Sequence, residues 1–550
     1  MLKKFRTLLV LAVIFVLAGC HSAKEARERR IKKAAEHMGQ IKLKTLPESR
    51  VFSLVDCIAI GLQHNLDLKV YELKERIADE KVTAQMLGML PELTIDNQFN
   101  SRNKTPGSSS YAIETGKESL VSSRSVDNTI NNLKIELALS ILDFGMAYLN
   151  SAQAEDRSLI TVEQKRRAEQ NLKLDIVKTY FKVAAAQDAI DTTEKLLEKC
   201  KNLEEVFKKL EFSKAVTPLR LLDERKRFIR LEKRLMAYRR SYQNACIELR
   251  ALMGYMPMSD IRVDTACLKK LNIASLPDIA TMEKIALVER PELYQLDIQT
   301  SITVTEARKT ILMMFPQVKV FVDFVNSNNS FLYTQSWWEI GVHAAYNLLK
   351  LPQRIAEYRA LNSEIDEISM RTLALSIGIM AQVRIAHANI LEVKERYDLD
   401  DKTYNAYKKH FKVASETFAA GGNLSKLELD RYELETAETF INRLISMSSC
   451  YVAYYRLLNT LGVNSLDPAT IEIVMNEIKR SEAREKARYM SKVIQKKYVA
   501  IAKEITYNGI VLGNNTISAE LRVKLNSIAA QAPVEKPAEK PAEEKKGKKK

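Results

Sequence analysis

Between Met146 and Thr217 the chain has neither glycine nor proline, in a run dense in Leu, Ile, Ala, Glu, Lys and Arg. With no helix breaker over roughly seventy residues, the run reads as a single helix of about 100 Å at about 1.5 Å per residue. Cysteine is sparse as well. Six are scattered at Cys20, Cys57, Cys200, Cys246, Cys267 and Cys450, without a C-x-x-C pair or metal-ligand spacing. If Cys20 is used otherwise, an odd set remains, which excludes a disulfide framework as the organising device. Histidines stand apart at His21, His37, His64, His343, His387 and His410, and no H-E-x-x-H, G-x-S-x-G or Gly-rich phosphate loop occurs. The chain is therefore not read as an enzyme, and neither a cofactor nor a metal is expected. The apolar run from Leu8 to Leu17 is too short for a membrane-spanning helix, which needs about twenty residues.

That run has its own meaning. Lys3, Lys4 and Arg6 precede it, and Leu17-Ala18-Gly19-Cys20 follows it, the pattern of a secretory signal over residues 1–19. The segment resembles a bacterial lipoprotein signal, which implies cleavage before Cys20 and acylation of its thiol. His21 at the next position, where aspartate would retain many lipoproteins in the inner membrane, implies the outer membrane. A formal charge of +16 could point to nucleic acid, but an exported chain meets no genome. Much of the excess sits at the ends, in the periplasmic segment 20–50 and in a tail, 531–550, that repeats Glu-Lys-Pro-Ala and closes on lysines. The tail reads as disordered, either simply solvated or in contact with anionic peptidoglycan or lipid.

Two hairpins of long helices dominate the rest. Ile176, Val183, Ile190 and Leu197, with Leu172, Thr179, Ala186 and Thr193 between them, form a narrow seam at heptad spacing. Thr217 reads as an N-cap before Pro218, and the return helix ends at Met253-Gly254. A second long helix follows Lys350-Leu351-Pro352 and runs to Ala420. It breaks at Gly421-Gly422-Asn423-Leu424, restarts from a Ser425–Glu428 capping box, and ends at Leu461-Gly462.

The hairpins belong to two copies of one plan, 51–264 and 265–465, followed by a helical extension over 466–530. Asn65-Leu66-Asp67-Leu68 and Arg290-Pro291-Glu292-Leu293 open corresponding helices, which stop at Leu90-Pro91 and Phe315-Pro316. Beyond each proline the period becomes two. Leu93, Ile95 and Phe99 form one apolar face, and Val318, Val320, Val322 and Phe324 another. After polar loops at 100–128 and 326–336 come partner strands, with Leu133, Ile135, Leu137 and Leu139 in one copy and Trp338, Ile340, Val342 and Ala344 in the other. Strands of about ten residues match the wall of an outer-membrane barrel. Trp337 and Trp338, the only tryptophans, fit an interfacial girdle. Four strands cannot close a barrel that starts at about eight, and an open edge in lipid leaves backbone groups unsatisfied, so the chain must oligomerise.

In order and in duplicate, these elements resemble the TolC family of outer-membrane efflux proteins over about Val51 to Val463. The resemblance implies a mainly α fold with membrane β: a homotrimer whose protomers each give four strands to a twelve-stranded barrel, continued by a periplasmic α-barrel of long hairpins. It implies the exit duct of a tripartite efflux pump or type I secretion system, passive, with a periplasmic adaptor and an inner-membrane pump as partners. The adaptor would dock at the hairpin tips, Lys214, Ala215, Val216 and Thr217 in the first and Gly421, Gly422, Asn423, Leu424 and Ser425 in the second. The first tip departs from the family, which usually has glycine where this chain has Ser213-Lys214-Ala215. Glu428 with Asp430 could form an acidic ring at the mouth, or Glu428 could serve only as a cap. The alternative reading is a lipid-anchored periplasmic coiled-coil scaffold without a pore.

Overall fold

The structure is a computed structural model that describes residues 23–42, 50–118, 121–213, 217–258, 261–422, 424–464 and 472–486. The signal, Cys20, the tip residues Lys214, Ala215, Val216 and Asn423, and the tail 531–550 lie outside the described residues. Helix α1 (Ala23–Lys42) precedes a two-residue strand β1 (Val51–Phe52), then α2 (Leu54–His64), α3 (Leu66–Leu87) and β2 (Glu92–Ser101). A short ribbon, β3 (Tyr111–Ala112) with β4 (Lys117–Glu118), interrupts the polar loop before β5 (Thr129–Ser140). β5 passes directly into α4 (Ile141–Ser213), 73 residues long, and the chain returns as α5 (Pro218–Leu252). The second copy supplies β6 (Arg262–Val263), α6 (Ile279–Glu289), α7 (Pro291–Leu312), β7 (Gln317–Ser327), β8 (Ser336–Ala345), α8 (Leu351–Ala419, 69 residues) and α9 (Lys426–Leu461). Residues 472–486, in a separate unit that begins at Ser465, are helical.

Two boundaries differ from the sequence reading. α4 starts at Ile141, ahead of Met146, because the Ser140 hydroxyl accepts the Asp143 amide at 3.2 Å and so caps the helix at the strand end. Thr217 precedes Pro218 as expected, but its side chain makes no cap hydrogen bond.

The repeat is visible in how each copy closes on itself. Asn65 caps α3, its Oδ1 accepting from Leu68 N at 3.0 Å, while its Nδ2 donates to the Leu252 carbonyl at the end of α5, 2.9 Å away. Arg290 stands at the equivalent place before α7. It reaches the Thr460 carbonyl near the end of α9 at 3.1 Å and Gln382 of α8 at 3.0 Å. Gly254 and Gly462 end the two return helices, both with φ of 78°. An added Cβ would meet the His64 carbonyl oxygen at 2.3 Å in the first copy and the Glu289 carbonyl oxygen at 2.7 Å in the second.

α4 is the common member of both helix layers. Along its upper half it packs against α3 and α7, and along its lower half against α5 and α9, while α8 packs against α7 above and α9 below. Ile176, Val183, Leu197, Thr179 and Thr193 of the expected seam are buried, but Val177, Tyr180, Phe181, Ala184, Ala185 and Leu196 are buried with them. The buried face is wide because α4 has neighbours on several sides, whereas a two-stranded coil would bury only a narrow stripe. At mid-height Phe181 stacks on Tyr451 with centroids 4.7 Å apart. Gln187 clasps Val263 of β6 through its backbone N and O, both at 2.9 Å, which fixes the parallel pair β1–β6 against α4. Tyr180 Oη donates to the Asp264 carbonyl at 2.7 Å beside that clasp.

Candidate functional site

The four long strands form one antiparallel sheet in the order β2-β5-β7-β8, so β5–β7 joins the two copies. Its register pairs Ile95 with Ile135, Ile135 with Phe324 and Phe324 with Trp338, which puts the alternating apolar positions of the four strands on one face. That face is bare. Ile95 is 69% exposed, Ile340 77% and Val342 69%. The opposite face carries Thr94, Asp96, Lys134, Glu136, Lys319, Asp323, Glu339 and His343. Trp338 lies on the apolar face, 5.2 Å from Phe324 between centroids, but Trp337 falls on the polar one. The paired girdle expected of both tryptophans is therefore split, since neighbouring residues of a strand point to opposite sides.

Among the described residues both sheet edges, β2 and β8, lack a strand partner. The helices end in open edges too. Leu66, Val70, Leu73 and Ile77 form an exposed stripe on α3, with Leu222, Ile229 and Met236 exposed on α5 and Met370, Leu373 and Ile377 on α8. Residues three, four and seven apart share a helix face, so each set is a continuous apolar band.

The distal ends of the hairpins are tied by charge. Lys199 of α4 pairs with Asp430 of α9 at 2.8 Å and also with Glu433. Arg431 pairs with Glu224 of α5 at 2.8 Å, Arg234 pairs with Glu438, and Tyr238 Oη donates to Asn442 at 2.8 Å. Burial lowers the Lys199 pKa and the two carboxylates raise it, and the carboxylates prevail. Burial pushes the Glu438 carboxyl up despite Arg234 beside it.

At the second tip, Gly421, Gly422, Leu424 and Ser425 are described and form a turn and a helix cap. Gly421 has φ of 72°, and the Leu424 amide donates to the Gly422 carbonyl at 2.7 Å. The capping box is complete, with Ser425 Oγ accepting from Glu428 N at 3.2 Å and Glu428 Oε2 accepting from Ser425 N at 3.0 Å. Of the two roles the sequence leaves open for Glu428, acidic ring or cap, the geometry within one chain displays the cap. Glu428 is engaged by the cap, and Asp430 is buried against Lys199 with Lys426 at 3.5 Å, so the two carboxylates do not stand side by side as free charges. Sequence reasoning also missed Lys199, Arg431 and Tyr238, because cross-hairpin partners leave no local spacing signal. The five described cysteines are free, and no group of acidic, Cys or His side chains among the described residues is placed to hold a metal.

Residues 58–255 match the family model described as outer membrane efflux protein. Over those residues the chain resembles outer membrane efflux proteins. Solved structures with a similar fold include the open-state MtrE outer membrane channel of Neisseria gonorrhoeae, at 16% identity and a TM-score of 0.59 over 74% of this chain and 89% of that one. The outer-membrane channel OprN aligns at 16% identity and a TM-score of 0.55 over 76% of this chain and 93% of its own. The CmeC outer membrane channel of Campylobacter jejuni aligns at 13% and 0.56 over 78% and 88%. No curated protein matches the sequence. The family match falls within the first copy of the repeat, and the structural alignments cover about three quarters of the chain.

Proposed function

We propose that this chain is the outer-membrane exit duct of a tripartite efflux pump or type I secretion system, working as a homotrimer. The carrying observation is a four-stranded sheet, apolar on one exposed face and polar on the other, whose two edges are unpaired among the described residues. Backbone groups at an edge in lipid have no water to turn to, so β8 of one copy pairs with β2 of the next, and three copies give twelve strands around a polar bore. The exposed stripes of α3, α5 and α8 meet their counterparts in neighbouring copies and continue the wall below the membrane. Passage is passive. The chain supplies a conduit and a docking end, while the inner-membrane pump supplies the energy.

The hairpin ends, Lys214 to Thr217 and Gly421 to Ser425, receive the periplasmic adaptor. Opening there moves α8 and α9 against α4 and α5, so the bonds of Lys199, Arg431 and Tyr238 across the hairpins are the contacts that change. Acylation at Cys20 holds the amino-terminal segment to the outer membrane, and the lysine-rich tail meets anionic peptidoglycan. Light scattering on full-length protein, expressed with its signal and extracted in detergent, tests the reading. A trimer is expected. A monomer, or protein released without detergent, would overturn it.

A further inference from the structure

In the lower half of the helix layer the packing order is α8, α9, α4, α5, yet side chains of all four helices line one cavity of about 380 Å³, so the layer curves around it. The two central helices meet there through small residues, Ala186 and Ala189 on α4 and Ser449 and Ala453 on α9, which leaves room between them. The lining is polarised. α4 and α9 run antiparallel, with Phe181 stacked on Tyr451 and Lys199 paired with Asp430, so Lys178, Lys182 and Arg456 share the upper end of the cavity while Ile190, Ile441 and Ile445 share the lower. The step from Lys182 to Ile190 is about 12 Å along the helix axis. No carboxylate lines the cavity, and among the described residues none lies at ion-pair distance from any of the three cations. Lys178 and Lys182 are four apart on one helix, a like-charged pair that costs stability until an anion sits beside it. Ser448 is an independent indication. It lines the cavity at 5% exposure, and its hydroxyl bonds to no described residue.

We propose that this cavity is a binding site for an amphipathic anion, its carboxylate or phosphate head held by Lys178, Lys182 and Arg456 and its short apolar tail lying toward Ile190, Ile441 and Ile445. An apolar recess of a few hundred cubic ångströms with a few convergent polar groups is the usual form of a small-molecule site. The head gains charge-assisted hydrogen bonds, with Arg456 offering a planar fork that suits either oxyanion and Ser448 a hydroxyl at the wall. The tail leaves water for Ile and Ala surface. A bare inorganic anion lacks the tail and a neutral alcohol lacks the head, so each engages only one end. Lys182 and Ala189 stand two residues beyond Tyr180 and Gln187, roughly half a turn around α4, so the cavity lies across that helix from the β1–β6 clasp. In the proposed duct the concave side of the layer faces the bore. The inference rests on the duct reading for that placement alone, because the site is built within one chain.

The test is calorimetric titration of the full-length protein in phosphatidylcholine nanodiscs, with empty discs subtracted, using octanoate, octyl phosphate, octanol and inorganic phosphate. Octanoate or octyl phosphate is expected to bind once per chain, and the tighter of the two tells a fatty-acid-like carboxylate from a lipid-like phosphate. Octanol and inorganic phosphate are expected to bind about tenfold more weakly or worse. Lys182→Gln with Arg456→Gln, at two exposed positions, should weaken the tighter anion by about tenfold or more, and Ala186→Leu should weaken it by filling the wall with the charges intact. Octanol binding as tightly as the anions, no binding of either anion, or wild-type affinity in the double variant overturns the proposal. Light scattering on the same sample keeps the two readings apart. A trimer that fails to bind overturns this inference alone, whereas a monomer that binds sustains the site and overturns the duct reading.

Discussion

Lys199 shows how a single side chain serves as both filler and counter-ion. Its aliphatic stem runs to a carboxylate, Asp430, that is only 7% exposed, so removing the lysine leaves a buried charge whose nearest cation is Lys426 at 3.5 Å. Breaking a fully buried pair costs about 3–5 kcal/mol. Lys199 itself is 27% exposed and Lys426 remains, so the expected loss for Lys199→Ala is about 2 kcal/mol. Guanidinium unfolding midpoints check it, and a Lys199→Met/Asp430→Leu double variant should recover most of the loss because no charge is orphaned. The thiols make a second residue-scale prediction. Burial, with the Asp56 carboxylate adding to it, pushes Cys57 from its ordinary 9.0 to about 12, and burial pushes Cys200 and Cys450 to about 11. A pKa raised by folding contributes stability that is fully present below pH 9.0 and lost as pH rises through the folded values, because the unfolded chain releases those protons first. Unfolding midpoints should therefore fall between pH 9.0 and about 11 to 12, and less steeply in a Cys57→Ala variant. At neutral pH these thiols should resist alkylation until the protein is denatured.

At the scale of elements, the two copies are closed by the same device, a return helix whose last residue takes a left-handed turn against the cap of the opening helix. Gly254→Ala and Gly462→Ala each force a side chain into φ of 78° and onto a carbonyl oxygen, at 2.3 and 2.7 Å. Each should cost at least about 2 kcal/mol. Gly378 is the contrast. It sits inside α8 with nothing within 4 Å of an added Cβ, so Gly378→Ala should stabilise by up to about 1 kcal/mol. Thermal melting of the three variants, measured side by side, separates close backbone approach from helix propensity.

For the whole molecule, the deciding property is the exposed apolar face of the sheet, which the proposed duct sets against lipid. Ile340→Arg or Val342→Arg places a charge on that face, at about 2–4 kcal/mol per protomer near the midplane, and should abolish the trimer that light scattering is expected to find. Gln98→Arg puts the same charge on the polar face and should assemble normally, since that side meets water. If all three assemble alike, the apolar face does not meet lipid and the duct reading fails.

Much of this protein was legible in its sequence because the signals are local. Glycine-free runs dictate long helices, period-two alternation dictates strands with one apolar face, and Asn65 and Arg290 mark the same joint in two copies. Strand order within each copy, the Ser425–Glu428 cap and the left-handed turn at Gly421 all came from neighbours in the chain. What only the tertiary structure decided depends on partners far apart in sequence. It set β5 beside β7, widened the buried face of α4 from a seam to a core, and gave Asp430 to Lys199. It also aligned Glu136, Asp323 and Glu339 in one row. Alternation assigns each of these to the polar face, but only the register of three strands makes them neighbours, because register is set by the packing of whole faces and not by any one residue.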